Sequence, residues 1–430
     1  MSVIESYPNM RPSLVLDFAS VGRVDPRIQC TRGSTATVWG PDRKLRSVAA
    51  NVPRIGFDPS SGQCLGLLVE GARTNLVSWS GDFTNAVWGK GNTTTGAAHP
   101  RTYGLLSGIK LVENTQSGVT HALTRNVPVS LGTTVLTQTW IVAAAERKAV
   151  SLRCAGNAYV ARATFDLVSG IAAKPPDGVT SRMRRLADDL WELVATWQVP
   201  ADTNQASCWI ELMDNLPTAG GTITYAGDGV SGIYVFAAQL EIGDAATSYI
   251  PTTSAAATRA FESMMLPAVV CAELMNQDLT LVQQLTTQSQ IPGAGSLRHL
   301  GASVYANGNN RARLYANSAN GGRVAFSGRL NGATDTFAVS CLSNLAAVVP
   351  PVRAAFSLTP SGPARASVNG GAVSQSDVQT GSLSGLPPVI YFGSLSGEAN
   401  AAEQSQDGYI QRVAIYPGAA SDTQLRRLSA

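Results

Sequence analysis

Few side chains in this chain stand at spacings that could do chemistry. The three histidines, His99, His121 and His299, lie far apart, and none sits at metal-ligand spacing from another. The six cysteines (30, 64, 154, 208, 271 and 341) form no C-x-x-C pair and have no neighbouring histidine. That pattern excludes a zinc knuckle and a disulfide-dense framework, and predicts reduced cysteines buried as small apolar groups. The run GSLSG occurs at Gly381–Gly385 and Gly393–Gly397, but its central residue is Leu383 or Leu395, so no hydroxyl stands where a nucleophile elbow needs it. No Walker loop and no G-x-G-x-x-G follows a strand. Hydrolysis of a glycosidic bond needs two carboxylates across a sugar, roughly 5 to 9.5 Å apart. The E-x-D-x-x-E run that sets such acids on one strand face is absent, and Glu211 and Asp214, three apart, would point to opposite faces of a strand. Asp188-Asp189 reads as a turn into Trp191. No catalytic residue is identified, and the chain is not expected to be an enzyme.

Tryptophan is the more informative residue. All seven precede residue 210, and six (79, 88, 140, 191, 197 and 209) fall between residues 77 and 258. An indole face can stack on the C–H face of a pyranose. Trp191 and Trp197 alternate in phase with Leu193, Ala195 and Val199, which predicts a core face. Trp88 lies in WGKGNTTTG with no apolar periodicity to hold it inside, so it is the candidate ligand-binding residue. Tyr305 and Tyr315, beside hairpin turns, carry the same two readings. Glu241 and Asp244 could offer oxygen ligands to a cation, but no EF-type loop surrounds them, so no metal and no cofactor is expected.

These residues need elements to hold them, and the elements read as short strands. Arg54 to Asp58 and Cys64 to Glu70 flank Pro59-Ser60-Ser61-Gly62-Gln63, a hairpin with Pro and Gly in its turn. His121–Val129, Val135–Ala143, Val150–Cys154, Ala161–Leu167, Trp191–Val199, Ser207–Leu212 and Gly232–Leu240 follow at sandwich-like spacing. Thr252 to Ala260, TTSAAATRA, reads as a linker. All four Asn-Gly dipeptides (307, 320, 331 and 369) lie after it and predict type I′ hairpins. Leu279–Thr286, Arg311–Tyr315, Arg323–Phe326, Arg353–Leu358, Val389–Phe392 and Tyr409–Tyr416 are the accompanying strands, and Ser421 with Gln424 fits a capping box. The expected fold class is all-β: tandem antiparallel β-sandwich (jelly-roll) domains over 77–258 and 261–430, preceded by a small N-terminal β region, 1–76. Below about 80 residues a lone core is marginal, so 1–76 is expected to dock on something larger.

The ordered set VAANVPRIGFDPSSG, LGLLVEGARTNL and FTNAVW, with LDF and DPRIQCTRGSTAT upstream, resembles a family of bacteriophage virion proteins: tail-fibre, spike and head-fibre subunits. The segment GIYVFAAQLEIGDAATSYIPTTSAAATRA resembles the close of their carbohydrate-binding-module-like jelly roll. SVNGGAV, YIQRVAIY and SDTQLRRL resemble a concanavalin-A or laminin-G-like domain. The resemblance implies a virion structural protein, a receptor-binding tail fibre or spike that attaches to host-surface polysaccharide or lipopolysaccharide, a homotrimer, and other phage structural proteins as partners. Two readings compete with it: a capsid-decoration, head-fibre or tail-assembly protein without sugar binding, and a polysaccharide depolymerase.

Composition agrees with a protein that assembles. Charged residues are 14%, against roughly 25% in ordinary soluble proteins, and the net charge is +3. No basic stripe is present, so nucleic-acid binding is not expected. No run approaches the roughly 20 apolar residues of a membrane helix, so no membrane insertion is expected. MSVIESYPNMRP lacks a signal-peptide core, which fits synthesis in a host cytoplasm and release in a virion by lysis.

Overall fold

The computed structural model describes residues 11–156, 159–216, 221–272, 278–287, 297–307, 310–317, 323–330, 337–342, 351–359, 362–379, 389–394 and 405–430. Its described strands form antiparallel sheets that pair into two sandwiches, as the all-β reading expects.

The first sandwich is built from residues 77–250. Its outer sheet runs Ile171–Ala172, Tyr159–Asp166, Ala149–Gly156, Gln205–Leu212, Ala122–Pro128, Gly89–Gly91. Its covered sheet runs Val179–Arg185, Leu190–Gln198, Val135–Ala144, Gly232–Ile242, Leu106–Glu113, Thr93–Tyr103. Alternation explains what lies between them. Leu193, Ala195 and Trp197 point from the covered sheet toward Leu152, Cys154, Cys208 and Ile210 of the outer one. The free thiols of Cys154 and Cys208 are buried here, and burial pushes Cys154 up to about 12.

The second sandwich takes strands from both ends of the chain. Its helix-side sheet runs Ser374–Gln379, Pro363–Val368, Val352–Leu358, Leu279–Thr287, Gly408–Pro417, Cys64–Val69, Arg54–Phe57, with Leu14–Asp17 also on Gly408–Pro417. Its far sheet runs Gln29–Thr31, Ser263–Leu266, Val389–Phe392, Leu297–Asn307, Asn310–Asn317, Arg323–Leu330, Phe337–Leu342. Leu16, Phe18, Ile28, Leu67 and Val69 therefore share one core with Leu281, Phe356, Ile410 and Ile415. Four strands before residue 76 (Leu14–Asp17, Gln29–Thr31, Arg54–Phe57 and Cys64–Val69) are wound into the sheets of residues 263–417, and the first sandwich is inserted between the two halves.

The predicted hairpin Arg54–Val69 forms, and its glycines have a clear use. Gly56 stands opposite Gly66. A Cβ on Gly56 would meet the Tyr409 ring at 2.3 Å, and one on Gly66, at φ +107°, would meet the Ile410 carbonyl oxygen at 2.3 Å. Only bare backbone lets Gly408–Pro417 pack this closely.

Three expectations meet the structure differently. The TTSAAATRA linker is ordered: Ala257–Arg259 pairs with Arg73–Asn75, and Arg259 is buried. Its small residues hid an arginine that has buried acids to meet. Thr93–Tyr103, Leu106–Glu113 and Val179–Arg185 are strands that periodicity missed, because Thr93–Tyr103 is a largely exposed edge and Val179–Arg185 puts arginines on its second face. Of the Asn-Gly turns, Asn369-Gly370 has φ of 48° and 71°, positive at both central residues as type I′ requires. The turns of the other three pairs, and the first GSLSG run, lie outside the described residues. The Ser421 capping box is present, opening the helix Asp422–Ser429. Among the described residues no helix is long and apolar enough to cross a membrane.

Candidate functional site

Trp88 is not a surface platform. Its side chain is 2% exposed, its ring centroid lies 5.0 Å from Phe83 and 5.6 Å from Trp140, and its Nε1 donates to the Trp79 carbonyl at 3.0 Å. The Gly- and Asn-rich segment around it is a short edge strand and turn, and the indole is the anchor that holds them to the core. Trp140 and Trp197 are also fully buried, and Trp191 packs partly on the same core.

Trp209 takes the place expected of Trp88. In QASCWIEL the residues Ala206, Cys208, Ile210 and Leu212 enter the core, so Ser207, Trp209 and Glu211 lie on the opposite, outward face. This face points away from the second sandwich. Trp209 is half-buried, its Nε1 donates to Asn126 Oδ1 at 3.0 Å, and Ser207 Oγ donates to the same oxygen at 3.0 Å. The Arg153 guanidinium lies 4.0 Å from the indole centroid. Next to it, Arg162 donates through Nε (2.8 Å) and Nη2 (3.2 Å) to the fully buried carboxylate of Glu211. Burial lowers Arg153 below the usual arginine range, against the pull of Glu211. Its Nε has no hydrogen-bond partner. The group thus carries two guanidiniums, one carboxylate, an amide, a hydroxyl and a partly open aromatic plane. It can stack a pyranose and donate to its hydroxyls or to an anionic substituent.

That face is poorly equipped for acid–base cleavage. Glu211 is committed to Arg162. Asp166, at the end of the strand that carries Arg162, accepts from the backbone N–H groups of Val168 and Ser169 and from Ser169 Oγ at 2.6 Å.

The outward face of the covered sheet meets the second sandwich, and the seam between them holds buried charges beside an apolar cluster that includes Trp39, Leu45, Ile141 and Phe236. Glu192 is held by Arg182 (3.3 Å) and Arg184 (3.0 Å) beside a cavity of about 40 Å³ that Tyr249 and Tyr409 also line. Burial would raise Glu192, but the two arginines hold it below its ordinary value. That volume admits a few waters and no sugar. Deeper in the seam, Arg54 donates to Glu262 through Nε (2.9 Å) and Nη2 (2.6 Å) and to Glu70 (2.7 Å). Arg32 reaches Glu262 at 2.6 Å and Arg259 reaches Glu70 at 3.2 Å. All five side chains are at most 2% exposed. This cluster is a joint, with every carboxylate already taken.

The remaining candidates are also accounted for. Glu241 accepts from the Thr247 backbone N–H at 3.1 Å and from its hydroxyl, and burial raises its pKa. Among the described residues no group of three His, Cys, Asp or Glu could hold a metal. His121 Nδ1 contacts the Asn92 carbonyl at 2.9 Å, and its ring lies against Tyr225. His99 contacts Asp189 at 3.4 Å, and His299 is buried. Tyr305 packs edge-on against Tyr391, and Arg313 lies over Tyr315.

The chain matches no known protein-family profile and no curated protein. Among solved structures, the CBM40 module of the Ruminococcus gnavus IT-sialidase is similar over 37% of this chain and 87% of its own, with 19% identity and a TM-score of 0.30. The same module bound to alpha2,6 sialyllactose gives 16% identity and 0.31. The leech intramolecular trans-sialidase gives 17% identity and 0.27, covering 37% of this chain and 24% of its own. At this depth the likeness carries no inference about ligand.

Proposed function

We propose that this chain is a non-enzymatic virion subunit of a bacteriophage, a tail fibre or spike that attaches to host-surface glycan through the outward face of its first sandwich. The carrying observation is Trp209, half-buried on that face among Arg153, Arg162, Asn126 and Ser207. Support for the virion setting is the ordered motif resemblance and the sparing use of charge. Single sites of this kind bind weakly, and attachment would come from repetition in a homotrimer or array.

A glycan array probed with the whole chain and with Trp209→Ala tests the reading. The expected result is retention of a subset of surface polysaccharides by the parent and loss of that signal in the variant. Equal signals from both, or none from the parent, would overturn it in favour of a capsid-decoration or tail-assembly role.

A further inference from the structure

We infer that a second site exists on the other sandwich: a cleft beneath the C-terminal helix Asp422–Ser429 that binds an oxyanion, a carboxylate or phosphate, on a unit no larger than a monosaccharide. The cleft opens on the outward face of the helix-side sheet, has a volume of about 290 Å³, and is lined by Arg353, Arg412 and Arg427 with Gln284 and Tyr416. That volume lies at the small end of ligand pockets, which begin near roughly 300 Å³.

Among the described residues no Asp or Glu side chain lines the cleft, and its one anionic group is the terminal carboxylate of Ala430. Gln284 stands opposite Arg353 on one neighbouring strand and opposite Arg412 on the other. The two arginines therefore flank one row, about 10 Å apart by the spacing of paired strands. Arg353 already donates to the Ala430 carbonyl, and Gln284 to the Gln411 side chain. Among the described residues Arg412 forms no ion pair, and its Nε is out of solvent with no hydrogen-bond partner. The acid closest to it in register is Asp17, directly opposite on Leu14–Asp17. That carboxylate turns away to accept from Ser20 N at 3.0 Å, capping a helical turn. A half-buried guanidinium with an orphaned donor, in a cleft where two further guanidiniums share one carboxylate, is costly when empty. An oxyanion relieves both costs, because a guanidinium offers two parallel donors to a carboxylate or phosphate.

The inference is independent of Trp209. Isothermal titration of the whole chain at low salt, with D-glucuronate, D-glucose and inorganic phosphate in separate runs, tests it. Glucuronate or phosphate should bind, and glucose should not. Binding should fall at least tenfold in Arg412→Gln and in Arg427→Gln, weaken with added salt, and persist in Trp209→Ala. Phosphate binding without glucuronate binding supports the site and assigns its ligand to phosphate rather than to a sugar acid. Thermal melting and Arg412→Lys, which keeps the charge, guard against a misfolded variant. Absence of anion binding in the parent, or unchanged affinity in folded Arg412→Gln and Arg427→Gln, would overturn the inference.

Discussion

The two tryptophans that matter most, Trp88 and Trp209, separate packing from recognition. Trp88 is closed in by Phe83 and Trp140, so Trp88→Ala should cost about 3–5 kcal/mol, as large-to-small changes in a core do. Trp209→Ala removes a half-buried ring, so it should shift the melting temperature far less while abolishing glycan retention. A calorimetric scan beside the array separates the two effects. Trp209 was legible in the sequence, because the period-two apolar pattern of QASCWIEL places it outward. Trp88 was not, because no apolar periodicity marks its segment and Trp140, which closes over it, comes from a distant strand. Glu70 gives a second residue-scale expectation. Burial alone would raise its pKa, yet Arg259 and Arg54 bring it from 4.5 to about 2. A depressed folded value means the carboxylate's contribution to stability is complete above about pH 4.5 and disappears as the pH falls toward 2. Glu241, raised by burial, acts in the opposite sense. Chemical denaturation of the parent should weaken steeply across that acid window. Glu70→Gln should flatten the slope while lowering stability near neutrality, since it strands buried guanidiniums. An equal slope in both would remove Glu70 from the account.

Among the elements, one turn recurs in three places. Asp58-Pro59-Ser60-Ser61-Gly62, Asp166-Leu167-Val168-Ser169-Gly170 and Asp228-Gly229-Val230-Ser231-Gly232 share the spacing D-x-x-S-G. In each, the aspartate accepts from the backbone N–H groups two and three residues on and from the serine hydroxyl. Each of these aspartates is held below its ordinary pKa. The first was read as a Pro-Gly turn, but the aspartate is the residue that ties it together. Asp166→Ala should cost about 1–2 kcal/mol by leaving two backbone donors unpaired, with a smaller loss in Asp166→Asn, both measurable by urea unfolding. Some strands with one apolar face, such as Val135–Ala144, Leu190–Gln198 and Gly408–Pro417, were visible in the sequence at nearly their full length. Val179–Arg185 was not, since its Arg182 and Arg184 face Glu192 of another strand rather than solvent or core.

At the scale of the whole molecule, the motifs that carried the resemblance converge on the joint between the sandwiches. PRIGF supplies Arg54, LLVEGARTNL supplies Glu70 and Asn75, and the closing ATRA supplies Arg259, with Glu262 two residues beyond it. Asn75 alone donates to the Ala238 and Ile250 carbonyls and accepts from Val77 and Leu240. The residues that carry the resemblance are therefore spent on the scaffold, so a motif can be plain in the sequence without revealing the ligand. The two sandwiches differ in how far along the chain their pairings reach. The first sandwich closes on contacts within residues 77–250, but Leu14 must find Ile415 across the length of the chain. Residues 261–430 alone would lack the strands Leu14–Asp17, Gln29–Thr31, Arg54–Phe57 and Cys64–Val69, and would expose the apolar face that Leu16, Phe18, Leu67 and Val69 cover. That fragment should be aggregated or without a cooperative melt. Supplying residues 11–260 in trans should restore a soluble complex with a single transition. A monomeric 261–430 fragment with a sharp melt of its own would show instead that the N-terminal strands are an addition to a finished sandwich rather than part of its core.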